Sequence, residues 1–357
     1  MDAGPPPRPI RLDRPPAAGA EAALPADFGR RFFVFVDTEE EFDWRAPFSR
    51  EATGTRAIAR LPGLHARMRA AGVVPTYLVD YPVADAPAAA AVLAGFAEAG
   101  EGVIGAQLHP WVTPPFDEPL TRANSFAGNL PRALEAAKLA ALTGRLERAF
   151  GRRPAVYRAG RYGVGPNSGA MLKACGYRID CSVRAGFDYR GEGGPDFTGH
   201  GTRPYWAGEG AGALLEVPLG AGYLGALRRF GDRLYRPAGA VPRLRGALAR
   251  AGLLERVAFS PEDYPLPLAR AAVGAALADG ARVISISFHS TSAEPGHNPY
   301  VRDAADLRRF HAWLDGMFAF LAGEGVAPAS IDALLAAAER GRAQASGLNA
   351  CARPRRR

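Results

Sequence analysis

Residues 31–44 read RFFVFVDTEEEFDW, and this stretch decides the fold class. Residues 32–36 are a short, uniformly apolar run, the mark of a strand buried on both faces. The run ends abruptly in acid, with Asp37, Glu39, Glu40, Glu41 and Asp43 crowded together. Parallel α/β folds present their chemistry at the C-terminal ends of such strands. Side chains alternate along an extended chain, so Asp37 and Glu39 are expected to face one way and Thr38 and Glu40 the other. Two carboxylates in one pocket suggest a general base and a metal ligand. The competing reading is an acidic loop in solvent, and later segments must supply partners to displace it.

Outward from this stretch the same unit of strand, loop and helix recurs. Strands are expected at 73–79, 103–108, 154–158, 179–183, 213–219, 256–259 and 282–288. Helical spacing covers 55–71, 86–99, 130–150, 244–254, 266–278, 303–321 and 331–340. Asp303 and Ser330 are expected to cap the last two helices, and Gly341 to close the final one. Residues 220–242 show no clear period. About seven such units without a linker imply an α/β chain folded as a single distorted (β/α)7-type barrel with mostly parallel strands. The barrel is expected over residues 29–345. Residues 1–28 form a Pro/Ala-rich arm expected to be disordered, and residues 346–357 a basic tail.

Composition narrows the class. At 357 residues and 48% hydrophobic content the chain can bury a large core. No apolar run is long enough to span a membrane, and the N-terminus lacks the apolar core of a signal peptide. The formal charge is +8, but Arg353, Arg355, Arg356 and Arg357 account for half of it. No helix-turn-helix, zinc finger or aromatic-basic strand pattern accompanies that charge, so nucleic acid is not expected as a partner. Cys175, Cys181 and Cys351 have no metal-binding spacing and suit free thiols in a reducing, cytoplasmic setting.

The strand ends carry the chemistry. They fall at Asp37 and Glu39, His109, Arg158, Asp180 and His289. In a barrel these ends share one face, so carboxylates, imidazoles and a guanidinium converge on one cleft. That set suits metal-assisted hydrolysis with a separate general acid. The Pro-rich segment after His109 is a candidate binding loop. His65 and His311 fall within helical patterns, His200 in a Gly-rich loop expected to be solvated, and His297 in the loop after His289.

In order and content these segments resemble the NodB-homology polysaccharide deacetylases of carbohydrate esterase family 4, and within them the WalW-like branch. VDTEEEFDW (36–44) resembles the family's first motif and IGAQLHPWVTPPF (104–116) the second. PAVYRAGRYG (154–163) resembles the third and IDCSV (179–183) the fourth. ISISFHS (284–290) with the following SAEPGHNPYVRDAADL (292–307) resembles the fifth. The resemblance implies a metal-dependent hydrolase that removes N-acetyl groups from a polysaccharide or saccharide precursor used in cell-surface polysaccharide metabolism. It implies that Asp37 is the base, paired with Arg158, and that His289 is the acid, supported by Asp180. Glu39, His109 and Gln107 would hold a divalent metal, zinc by the family's habit. Trp111, Tyr162 and Trp206 would contact an N-acetylated saccharide, and a backbone N–H beside Trp111 or Tyr162 would face the oxyanion. Glu40, Glu41 and Asp43 are left to solvent, loop or substrate. Two departures stand out. The second carboxylate lies two positions on, at Glu39, where the family has adjacent aspartates. Gln107 stands near His109 where the family has a second histidine. A hydrolase of another non-peptide amide, or a non-catalytic carbohydrate-binding relative, remains an alternative.

Overall fold

A computed structural model describes residues 9–351. Its strands are β1 (Arg31–Thr38), β2 (Thr76–Val79), β3 (Val103–Leu108), β4 (Val156–Ala159), β5 (Ile179–Asp180), β6 (Tyr205–Ala207), β7 (Leu214–Glu216), β8 (Ala221–Leu224), β9 (Glu255–Ala258), β10 (Val283–His289) and β11 (Ala327–Pro328). The main sheet runs β10-β1-β2-β3-β4-β5-β7-β6, with β11 paired to β1. From β10 to β7 every pairing is parallel, and only the edge strand β6 is antiparallel. Helices alternate with these strands, as the recurring unit predicts, and the sheet curls into a half-barrel.

The apolar run of β1 is buried on both faces. Phe33 and Phe35 join Leu78, Val156, Ile179, Cys181, Leu215 and Val217 in one core. Helix Ile331–Cys351 closes that core with Ile331, Leu334 and Leu335. Phe32, Val34 and Val36 face the other way, into the larger core shared with the surrounding helices. One β-strand thus supplies two cores by simple alternation.

The gap between β10 and β7 is filled by the antiparallel hairpin of β8 and β9. Ser285 Oγ donates to Pro218 O at 2.9 Å, and Ser287 N donates to Phe259 O at 3.4 Å. Leu219 N donates to Val183 O at 2.8 Å on the other side. Gly220 is required at this junction, because a Cβ there would sit 2.4 Å from both Phe259 Cδ2 and Ser285 O.

Two expectations about the chain ends are corrected. The described part of the arm, residues 9–28, packs against the fold: Leu12 is fully buried, and residues 20–22 add to the β6 edge. Ala22 N donates to Pro204 O and Trp206 N to Ala20 O, both at 2.8 Å. A composition rich in Pro and Ala lacks sheet-forming side chains, but an edge strand needs only backbone groups from its partner. Gly341 does not close the last helix, which continues to Cys351. A Cβ at Gly341 would lie 1.8 Å from Ala23 O, so the glycine allows the arm and helix to touch. Arg353 and Arg355 to Arg357 lie outside the described residues.

Candidate active site

The C-terminal ends of β1, β3, β4 and β10 surround a cleft of about 820 Å³. Asp37 and Glu39 both line it, as alternation requires, while Glu40 does not. Gln107 and His109 enter from the end of β3, Arg158 from β4 and His289 from β10. The sequence therefore brings six of its expected residues to one place.

Asp37 and Arg158 form a buried ion pair, Nη1 of the arginine donating to Oδ1 of the aspartate. The same guanidinium donates to Ser287 Oγ and Cys181 O, each at 2.9 Å. Three anchors, on β1, on β10 and just after β5, hold Arg158, and through it Asp37, in one orientation. Oδ2 of Asp37 stays on the side of His289, whose Nε2 is 3.9 Å away.

His289 is held by Glu262, a residue the sequence reading missed. Its Nδ1 lies 2.7 Å from Glu262 Oε2, and its backbone N donates to Oε1 at 3.0 Å. Burial opposes a charge on this imidazole, but the carboxylates of Glu262, Glu39 and Asp37 outweigh it and push its pKa up to about 10. His289 is thus a cation at neutral pH and able to donate a proton from Nε2. The signal was present in the sequence. Glu262 follows the strand expected at 256–259, as acids or histidines follow other strands.

Asp180, expected to support His289, is corrected. It bonds Ser182 instead, accepting from its Oγ at 2.7 Å and its N at 3.2 Å. The cause is parity: Ile179 and Cys181 point into the barrel core, so Asp180 points out of it, beside the buried Glu216. Trp206 is also away from the cleft, under the guanidinium of Arg342 at 4.0 Å. His200, expected to be solvated, is buried beside Phe197 and Tyr205.

Trp111 and Tyr162 do line the cleft. The Trp111 ring is covered by His109 at 4.3 Å and by Phe48 at 4.7 Å, and its Nε1 donates to Glu40 Oε1 at 2.7 Å. It braces the histidine more than it offers a free face. Tyr162 has a positive φ of 62°, unusual for a bulky residue, in the turn where Gly160 passes His109. Trp44, which the sequence did not single out, stands at the mouth with its ring 5.0 Å from His289 and 5.7 Å from Tyr300.

The acids beyond Glu39 are not all solvated. Glu40 is fully buried; its Oε2 lies 2.7 Å from His109 Nδ1, and its backbone N donates to Asp80 Oδ2 at 2.7 Å. Burial raises the pKa of Glu40, and burial together with Glu40 raises that of Asp80 well above the carboxylate range. His109 is lowered by burial and stays neutral near pH 7. With Nδ1 committed to Glu40, its Nε2 faces Glu39 Oε2 at 3.5 Å. Burial likewise raises Glu39, against the pull of His289 and His109.

Two arrangements here suit a cation. Glu40, Asp80 and His109 each offer an atom within 4.8 Å of the others. Their oxygens, however, already accept hydrogen bonds from His109, Trp111, Val83 and Glu40. On the cleft side, Glu39 Oε1 and Gln107 Oε1 are buried without a hydrogen-bond partner, and His109 Nε2 lies 3.5 Å from the other oxygen of Glu39. Unpaired buried acceptors are costly, and a carboxylate, an amide oxygen and an imidazole nitrogen oriented from behind by Glu40 make a donor set that fits a divalent ion.

No family model matches the chain, and no curated protein matches it. Among solved structures, a Mycobacterium smegmatis protein provisionally assigned as a polysaccharide deacetylase is 18% identical; the match covers 89% of this chain and 98% of that one, at a TM-score of 0.48. Puue allantoinase is 16% identical over 88% of this chain and 92% of its own, at 0.43. A family 4 carbohydrate esterase from Streptomyces lividans, in complex with acetate, is 11% identical over 85% and 93%, at 0.40. These likenesses are too distant to assign chemistry to the cleft.

Proposed function

We propose that this chain is a metal-dependent deacetylase of the NodB-homology type, acting on an N-acetylated saccharide. The observation that carries this reading is the division of labour within one cleft. A carboxylate fixed by a buried arginine and a cationic imidazole fixed by a second carboxylate lie 3.9 Å apart, beside unpaired donors suited to a cation.

Glu39, His109 and Gln107 would hold the ion, with zinc the first candidate. When bound, such an ion polarises an amide carbonyl and acidifies a water. Asp37, with one oxygen pinned by Arg158, accepts the proton of the attacking water on its free Oδ2. His289 then delivers a proton from Nε2 to the departing amine, while Glu262 holds Nδ1. Arg158 orients the base, and Glu262 holds the acid and favours its charged form. The cleft's size and its rings, among them Trp44, Tyr162, Tyr189 and Tyr300, suit a sugar better than a small polar amide.

Acetate release from N-acetylated oligosaccharides tests the reading. Wild-type protein loaded with zinc, cobalt or manganese should release acetate, and Asp37→Asn should lose at least ~100-fold in kcat, the scale of general-base catalysis. No release from any acetylated saccharide, with full metal content, would overturn it.

A further inference from the structure

We propose that residues 225–254, the insertion between β8 and β9, form a docking surface for an anionic phospholipid bilayer. The segment carries seven arginines, at 228, 229, 233, 236, 243, 245 and 250, against one acid, Asp232. That acid is already engaged by the hydroxyl of Tyr223. Arg228 pairs with Asp279, Arg236 lies 3.8 Å from Asp196, and Arg245 lies over the Tyr235 ring at 4.4 Å. Arg229, Arg233, Arg243 and Arg250 are exposed and, among the described residues, have no side-chain partner.

Apolar side chains are exposed among these charges. Phe230 is 53% exposed, Val241 52%, and Leu234 and Leu253 37% each. They are four of the seven large apolar side chains exposed among the described residues. Of the other three, Trp44 and Leu120 line the cleft and Phe116 stacks on the ammonium of Lys138. The insertion is therefore the apolar surface that the cleft does not explain. Exposed Leu and Phe interleaved with unpaired arginines match the interface of a charged bilayer, where apolar groups enter the acyl boundary and cations meet phosphate. Nucleic acid fits less well: Tyr235 is covered by Arg245 and Arg256, and Phe230 alone among the exposed apolar side chains of the insertion is a ring, so successive bases have no stacking platform. No helix among the described residues is long and apolar enough to cross a membrane, so this would be surface attachment. The base of the same hairpin supplies Gly220, Ala258 and Phe259 to the cleft wall. A docked hairpin is thus continuous with the site.

The test is co-sedimentation of the full-length protein with vesicles of phosphatidylcholine alone or mixed with phosphatidylglycerol. The mixed vesicles should bind at low salt and the neutral ones should not. The triple variant R229E/R233E/R243E should lose about a hundredfold or more in partitioning, since each arginine near an anionic surface is worth roughly fivefold. The corresponding Arg→Gln triple variant should lose less, and F230S/L234S should release the protein at lower salt than wild type. A variant with Arg353, Arg355, Arg356 and Arg357 changed to Gln should still bind. Absence of binding to the mixed vesicles, binding unchanged by the triple variant, or binding lost only with the tail would overturn the proposal. Tighter binding of a fluorescent RNA or DNA through the same arginines would overturn the lipid assignment. All readouts are independent of acetate release, so the docking surface and the deacetylase reading can fail separately.

Discussion

Replacing Glu262 with Gln should lower the pKa of His289 and bring forward the alkaline loss of activity. The two residues meet at 2.7 Å between Nδ1 and Oε2, and the backbone N of His289 adds a second bond at 3.0 Å. Gln keeps an acceptor for one of these bonds but removes the charge. A hydrogen bond to a charged group contributes about 1.5–3 kcal/mol, and one pKa unit corresponds to about 1.4 kcal/mol. The imidazole, at about 10 in the wild-type protein, should therefore fall by roughly one to two units in the variant. The cation is the acid form, so activity is present below this pKa and lost above it. The alkaline limb of kcat should move down by the same interval, with a smaller change near neutrality. Stability follows the same sign. The folded value lies above the unfolded one of about 6.5. The stabilisation is thus full below that pH and lost as pH rises through about 10. The variant should show a flatter decline of melting temperature over this window. NMR titration of the imidazole in chelated protein reads the shift directly; a bound cation near Glu39 would repel the imidazolium and lower its pKa further. An unmoved alkaline limb in Glu262→Gln, with the fold intact, would refute the assignment of His289 as the acid tuned by Glu262.

The remaining predictions concern how the site is held. Gln107→His should tighten zinc binding by about tenfold or more, because imidazole is a better zinc ligand than an amide oxygen; calorimetric titration with no change would place position 107 outside the ligand set. Gly160→Ala should displace His109, since the new Cβ would sit 2.3 Å from its Cδ2; metal affinity should fall by about 10–100-fold, the scale for disturbing a ligand's support. Lys138→Met should cost about 3–5 kcal/mol of stability in urea titration, the range for breaking a buried ion pair. Its ammonium is fully buried, 3.0 Å from Glu118, and donates to the carbonyls of Pro110, Thr113 and Pro115. The same variant should raise susceptibility to proteolysis in the loop after His109.

Much of this architecture is legible in local pattern. An apolar run ending in acid marks β1, and strands at 103–108 and 282–288 announce themselves in the same way, ending at His109 and His289. Alternation alone places Asp37 and Glu39 in the cleft and turns Glu40 away from it. Period and the residue type at a strand's end are properties of short segments, so residues of one segment suffice to read them. Partnership is not such a property. Asp180 and Glu262 are both carboxylates near strand ends, and nothing local says which one reaches His289. The sheet decides it: parity turns Asp180 out of the barrel, whereas the hairpin that fills the gap between β10 and β7 brings Glu262 against the end of β10. Glu40 is similar. In the sequence it is one acid among five, and only the approach of β2 and β3 buries it between Asp80 and His109. Gly341 reads locally as a helix stop, but the arm that crosses it lies over three hundred residues away. The sequence by itself determined which residues could do chemistry and on which face of a strand they lie. The tertiary structure decided which of them meet, because contacts between distant segments depend on how the sheet curls and closes.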